Sequence, residues 1–254
     1  MKKRVYNNLL NKNFTRKGQT TIFIIFAILL MAILLIFFLA KQNIISLNLT
    51  NPQIKPVNSF IQSCIDQTAE NAIQHIGENG GYFTSPNNSL DNAIPIYFNK
   101  GQTQVPTKEQ IESELSEYIN TMLFFCTKNF ADFQDFKITQ KEIKTTTQIQ
   151  KGEIIFNINY PLSLTKEEKT YQLENFNTEI PSRLLTVQEA ASKIIQDQKE
   201  FPEELCITCI EETTIEKQLI VNMRDYQDSI IFSITDYNQQ INQKEFIFYF
   251  ANKY

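Results

Sequence analysis

Residues 137–164 read "KITQKEIKTTTQIQKGEIIFNINYPLSL". β-Branched and aromatic residues alternate with polar ones along both halves, the two-residue period of a half-buried strand. Lys151-Gly152 breaks the alternation in the middle, and a short Gly-containing break between two such runs signals a hairpin. The stretch therefore predicts extended chain folded antiparallel on itself. Moving outward, "KEEK" (166–169) turns the chain into "TYQLENF" (170–176). Toward the C-terminus, "LCITCIEETTI" (205–215), "KQLIVNM" (217–223), "DSIIFSITD" (228–236) and "EFIFYFAN" (245–252) each read as a strand. Consecutive hairpin-linked strands argue for an antiparallel α+β fold rather than a doubly wound sheet.

Three helices are expected beside that sheet. The first begins near Pro56, a residue tolerated in a first turn. Val57, Phe60, Ile61, Cys64, Ile65, Thr68, Ala72 and Ile76 recur at three- and four-residue steps, and Gly77 reads as its C-cap. "GENGGYF" (77–83) turns the chain, and "IPIYF" (94–98) is a short strand closed by Lys100-Gly101. In the second helix, Thr107 and Gln110 form a capping box ahead of the stripe Ile111, Leu115, Tyr118, Met122 and Cys126. In the third, Thr186 caps with Glu189, and Val187, Ala190, Ala191, Ile194 and Ile195 make the apolar face. The expected organisation is one integrated domain over 57–254, helical over 57–133 and mainly β over 134–254.

Upstream, Ile22 to Ala40 are 19 consecutive residues without a charged or hydrogen-bonding side chain. At about 1.5 Å per residue a helix of that length spans roughly 28 Å, close to the hydrocarbon core of a bilayer. Cleaved secretory signals have shorter apolar cores followed by small residues, whereas this run ends "FFLAKQN". Lys2, Lys3, Arg4, Lys12, Arg16 and Lys17 precede it, and only Lys41 follows closely. The positive-inside bias predicts a single-pass membrane protein with residues 1–18 as a cytoplasmic leader, 19–41 as the transmembrane helix, 42–56 as a stalk and 57–254 as an extracellular domain.

The tetrapeptide Arg16-Lys17-Gly18-Gln19 ahead of "TTIFIIF" resembles the archaeal class III, or prepilin-like, signal sequence. The resemblance covers residues 16–40. It implies that a prepilin-type peptidase cuts after Gly18, that Gln19 becomes the first residue, and that the apolar helix stays on the mature protein. It further implies a non-enzymatic, pilin-like surface subunit whose helices associate with those of other copies or of pilus subunits. Pro52 and Pro56 depart from the continuous helix of a major pilin, which leaves a minor subunit or a static single-pass envelope protein with a binding or adhesion domain as the alternatives. An uncleaved signal anchor is the competing reading of Gly18. "VNSFIQSCIDQTAENAIQHIGENGGYF" and "NYPLSL" look similar to segments of uncharacterised membrane-anchored envelope proteins of small archaea.

Without the six basic residues before the run, 18 Lys and Arg face 28 Asp and Glu, a formal charge of −10. Such a balance disfavours non-specific binding of nucleic acid or anionic lipid. All four cysteines, Cys64, Cys126, Cys206 and Cys209, fall on the far side of the run, and an even count in an oxidising compartment reads as disulfides. Cys64 and Cys126 sit on the inward stripes of two helices, which predicts that they pair, with Cys206 joined to Cys209. Asn48 and Asn87 stand in Asn-x-Ser/Thr patterns, as candidate N-glycosylation sites. Asn13 fits the same pattern but falls in the leader.

Catalytic chemistry finds little footing. His75 is the sole histidine, and near a helix C-terminus it reads as a partner for exposed carbonyls. "GENGGYF" follows a helix instead of opening one, so it lacks the amide array of a phosphate loop. Redox activity at Cys206-Ile207-Thr208-Cys209 would want a helix N-terminus, whereas "LCITCI" has β character. Glu167-Glu168, Glu203-Glu204 and Glu211-Glu212 read as solvated charge. No catalytic residue, metal ligand or cofactor is expected.

Overall fold

In the computed structural model, which describes residues 24–31, 51–241 and 243–254, the 137–164 stretch folds back at Lys151-Gly152. Gly152 holds φ +95, a conformation that glycine adopts without the Cβ penalty, and Gln150 pairs with Glu153 across a two-residue turn. The first half divides into two strands, β4 (Lys137–Gln140) and β5 (Lys144–Gln150), which lie end to end along β6 (Gly152–Lys166). A bulge in β6 separates them: Tyr160 and Pro161 stand where β7 (Lys169–Ser182) supplies one residue. Proline has no N–H to give a ladder, and bulges are among the few interior positions that tolerate it. Lys141 N–H donates to the Pro161 carbonyl there, at 3.0 Å. Glu167-Glu168 is the turn into β7.

The inner face of this sheet is legible from the alternation. Ile149, Ile154 and Ile180 line up across β5, β6 and β7, as do Thr147, Phe156 and Thr178. All are buried.

A second sheet orders its strands β1 (Ser89–Leu90), β2 (Ile94–Asn99), β10 (Lys244–Lys253), β9 (Ser229–Ile241) and β8 (Ile220–Tyr226), with β3 (Gln102–Thr103) also on β2. Every pairing is antiparallel except β10 on β2, which is parallel. The expectation of one antiparallel sheet is thus corrected to two sheets, one of them mixed. Periodicity reports which face of a strand is buried but not which strand lies beside it. Buried aromatics knit the second sheet together. Phe250 stacks on Tyr97 of β2 at 4.9 Å and on Phe232 of β9 at 4.8 Å between ring centroids.

Four helices accompany these strands: α1 (Lys55–Glu78), α2 (Lys108–Thr127), α3 (Leu184–Glu200) and α4 (Ile207–Lys217). Helix α1 packs on β9 and β10 of one sheet and β7 of the other, so its buried stripe joins both. Helix α2 runs antiparallel to α1, with His75 against Tyr118 and Cys64 against Cys126, and covers β5. Its capping box is complete: Gln110 N–H donates to Thr107 Oγ1 at 3.2 Å, and Thr107 N–H to Gln110 Oε1 at 2.8 Å.

Three local expectations are corrected. Gly77 lies inside α1 rather than capping it, because β10 passes so close that a Cβ would stand 2.6 Å from the Ile247 carbonyl oxygen and from the Phe246 ring. Asn79 is the cap residue. Helix α3 starts at Leu184, with Arg183 in the N-cap position, so Thr186 and Glu189 sit inside the first turns. There β7 runs straight into the helix, and the Ser182 hydroxyl accepts Leu184 N–H at 3.2 Å. Finally, "LCITCIEETTI" is helical from Ile207 onward.

Residues 51–254 form one compact unit. Residues 24–31 are helical with exposed side chains. Among the described residues no helix is long and apolar enough to cross a membrane, and most of the run Ile22 to Ala40 lies outside them.

Candidate functional site

The candidate processing residues Arg16, Lys17, Gly18 and Gln19 lie outside the described residues, as does Asn48. Asn87 is exposed in the loop ahead of β1, and the hydroxyl of Ser89, the third residue of its pattern, donates to the Pro86 carbonyl at 2.8 Å. The cysteine framework is fully described.

Cys64 and Cys126 are bonded, with Cα atoms 5.6 Å apart, within the ordinary span for such a bridge. Cys64 is buried on α1; Cys126 is half-buried near the end of α2. The bridge floors a groove between the helices that Phe60, Tyr118, Met122 and Phe125 also line. Phe124 and the Phe125 side chain are exposed beside it.

Cys206 and Cys209 are also bonded, at a Cα separation of 5.3 Å, so all four cysteines are paired. Their setting is the chief site feature that sequence reasoning missed. Cys206 is the N-cap of α4 and Cys209 sits in its first turn, where backbone N–H groups have no intrahelical partner. One of these, Cys209 N–H, donates to Cys206 Sγ at 3.3 Å, and the Thr208 hydroxyl lies 3.6 Å from the same sulfur. Residues three apart on a regular strand point to opposite faces, whereas one helical turn brings them together. The spacing itself was therefore the available signal, outweighed by the β-branched residues around it.

The approach to α4 is held in place. Gln198 Nε2 donates to the carbonyls of Phe201, at 2.8 Å, and Glu204, at 3.3 Å. Gln198 Oε1 in turn accepts the Tyr254 hydroxyl at 2.8 Å. Burial pushes the Tyr254 phenol above its ordinary pKa. Further on, the Thr213 hydroxyl donates to the Cys209 carbonyl at 2.9 Å.

His75 is held by local contacts. His75 Nε2 lies 2.9 Å from the Phe83 carbonyl, with its ring packed against Phe83 and Tyr118 at the C-terminal end of α1. Among the described residues no three His, Cys, Asp or Glu side chains converge as a metal site. Glu167, Glu168, Glu203, Glu204, Glu211 and Glu212 are all exposed. A buried charge that the sequence did not reveal ties α3, α4 and β9 together. Asp236 is wholly buried, and its Oδ1 accepts Arg183 Nη1 at 2.8 Å and Asn238 N–H at 3.0 Å. Arg183 Nη2 donates to the last carbonyl of α4, Lys217 O, at 2.6 Å. The other Asp236 oxygen has no partner, so the pair anchors the fold at the cost of an unsatisfied acceptor.

No family model matches the chain, and neither a curated protein nor a solved structure matches it.

Proposed function

We propose that the chain is a membrane-anchored archaeal surface protein: a pilin-like subunit cut after Gly18, held by residues 22–40, and displaying 51–254 outside the cell. The observation that carries this reading is the uncharged run from Ile22 to Ala40, led by six basic residues and the Arg16-Lys17-Gly18-Gln19 tetrapeptide. The bonded state of every cysteine in 51–254 supports the outside placement, because disulfides persist in oxidising compartments and are rare in a reducing cytosol. The head is displayed, while residues 22–40 contact membrane lipid, a prepilin-type peptidase acts at Gly18 during maturation, and other copies or pilus subunits are the further partners.

One observation favours the second reading, a static single-pass envelope protein with a binding or adhesion domain. Helix α1 begins at Lys55, just after the turn at Pro52 and Gln53, as a helix of the head.

N-terminal sequencing of the chain recovered from membranes distinguishes these. A mature start at Gln19, abolished by Gly18→Arg, is expected. Retention of Met1 after export would reject processing and leave the static anchor. If Gly18→Arg blocks the cut yet leaves surface filaments and attachment unchanged, the pilin-like reading fails. A Tyr254 epitope protected from external protease in intact cells would overturn both readings.

A further inference from the structure

The two disulfides differ in the properties that govern exchange. Cys64 is buried in a helix interface and Cys126 half-buried, whereas Cys206 and Cys209 are both partly exposed, at the N-cap and in the first turn of an 11-residue helix. The helix dipole favours a thiolate at that position, and Cys209 N–H already points at Cys206 Sγ. A second, independent observation concerns the surface around them. Three large hydrophobic residues near this segment are exposed: Ile207 between the two cysteines, Phe201 at the start of the loop into Cys206, and Tyr254, joined to that loop through Gln198. A groove of about 520 Å³ is lined by Phe98, Lys100, Tyr254 and two residues of the loop leading into Cys206, Pro202 and Glu203.

We propose that Cys206–Cys209 is a thiol–disulfide exchange site that oxidises a dithiol carried on an apolar segment of another protein. A client thiolate attacks Cys206 Sγ, forming a client–Cys206 disulfide, and Cys209 leaves as a thiolate in the first turn of α4. The client's second thiolate then attacks its own bonded sulfur, closing the client disulfide and releasing Cys206. Two electrons pass from client to Cys206–Cys209, and the two client thiol protons end on Cys206 and Cys209. Exposed Glu203 and Glu204 precede Cys206 and exposed Glu211 and Glu212 follow Cys209 along the chain, so the client segment is neutral or basic near its cysteines. This activity would add to display of the head and does not rest on cleavage at Gly18.

The test uses the purified, oxidised full-length chain and a reduced synthetic peptide with two cysteines in an apolar, Lys-flanked sequence. Acid quench, alkylation and mass mapping follow each disulfide over time. The expected result is one peptide disulfide formed per chain, with Cys206 and Cys209 alkylated and Cys64–Cys126 intact. A Glu-flanked twin peptide should react about tenfold more slowly, from charge repulsion. In Cys209→Ser the free Cys206 should be trapped as a mixed disulfide when the oxidised peptide is offered. Cys206→Ser/Cys209→Ser should abolish exchange while keeping the near-UV circular dichroism of the parent. Exchange at Cys206–Cys209 no faster than at Cys64–Cys126, or only in denaturant, overturns the proposal. Equal rates for the two peptides overturn the assignment of client charge.

Discussion

Replacing Cys64 and Cys126 together by Ala removes a link that closes a loop of 62 positions between two packed helices. In the chain-entropy treatment, a loop of that length restrains the unfolded chain by about 4 kcal/mol, while the three-position loop of Cys206–Cys209 yields about 2 kcal/mol. Truncating the buried Cys64 sulfur adds a cavity term of about 1 kcal/mol on the first pair only. The second pair is best replaced by Ser, since an oxygen at 206 keeps an acceptor for Cys209 N–H. The ratio is therefore about 5 to 2 kcal/mol, and for a domain this size each kcal/mol moves Tm by about 2–4 °C. Thermal unfolding of full-length protein in detergent, followed by circular dichroism without reductant, should drop by about 10–20 °C for Cys64→Ala/Cys126→Ala. The drop for Cys206→Ser/Cys209→Ser should be about 4–8 °C. A second-pair loss equal to or greater than the first would refute this accounting and place the stability in α4 rather than in the α1–α2 interface.

Gly77→Ala puts a methyl 2.6 Å from the Ile247 carbonyl, so urea unfolding should show a loss of about 1–3 kcal/mol from overpacking; an unchanged midpoint would deny the close approach of β10. Arg183→Met strands the buried Asp236 carboxylate and should cost about 3–5 kcal/mol, and adding Asp236→Leu should recover part of it; no recovery would mean that the arginine acts through Lys217 O instead. Tyr97 is wholly buried, donates to Gly80 O at 2.7 Å, and desolvation raises its phenol well above the ordinary value near 10. Its folded pKa thus exceeds its unfolded one, so its contribution is whole below about pH 10 and is lost above it, by at most about 1.4 kcal/mol per pH unit. Stability measured at pH 9 and pH 11 should fall, and Tyr97→Phe should flatten the fall; an equal slope in both proteins would exclude Tyr97 as the group responsible.

Local chemistry was legible wherever a signal acts over a few residues. The Thr107–Gln110 capping box formed because both partners lie within one turn. The Lys151-Gly152 and Glu167-Glu168 turns were legible because a two-residue hairpin needs little beyond its own residues and the alternating flanks. The disulfide pairing followed from two stripes: a cysteine on an inward helical face has few places to go except another inward face. Where long-range contact decided, reading failed. Gly77 looked like a cap from its place at the end of an apolar stripe, and only the approach of β10, 170 positions later, explains why it has no side chain.

"LCITCIEETTI" marks the boundary between the two kinds of knowledge. Its β-branched residues favour a strand by propensity, a weak term that tertiary context overrides. Burial of Ile210 and Thr213, the link between Cys206 and Cys209, and the Arg183 contact at the helix end together select a helix. By itself the sequence determined the α+β class, the strand faces and the capping of α2, and it favoured the cysteine pairing among the three possible, because periodicity and spacing carry that information locally. Tertiary structure alone decided the division into two sheets, the parallel pairing of β2 with β10, the burial of Asp236 and the helical setting of Cys206–Cys209. These depend on which distant surfaces meet, and the cost of leaving a buried group unpaired or a face uncovered is set only once they do.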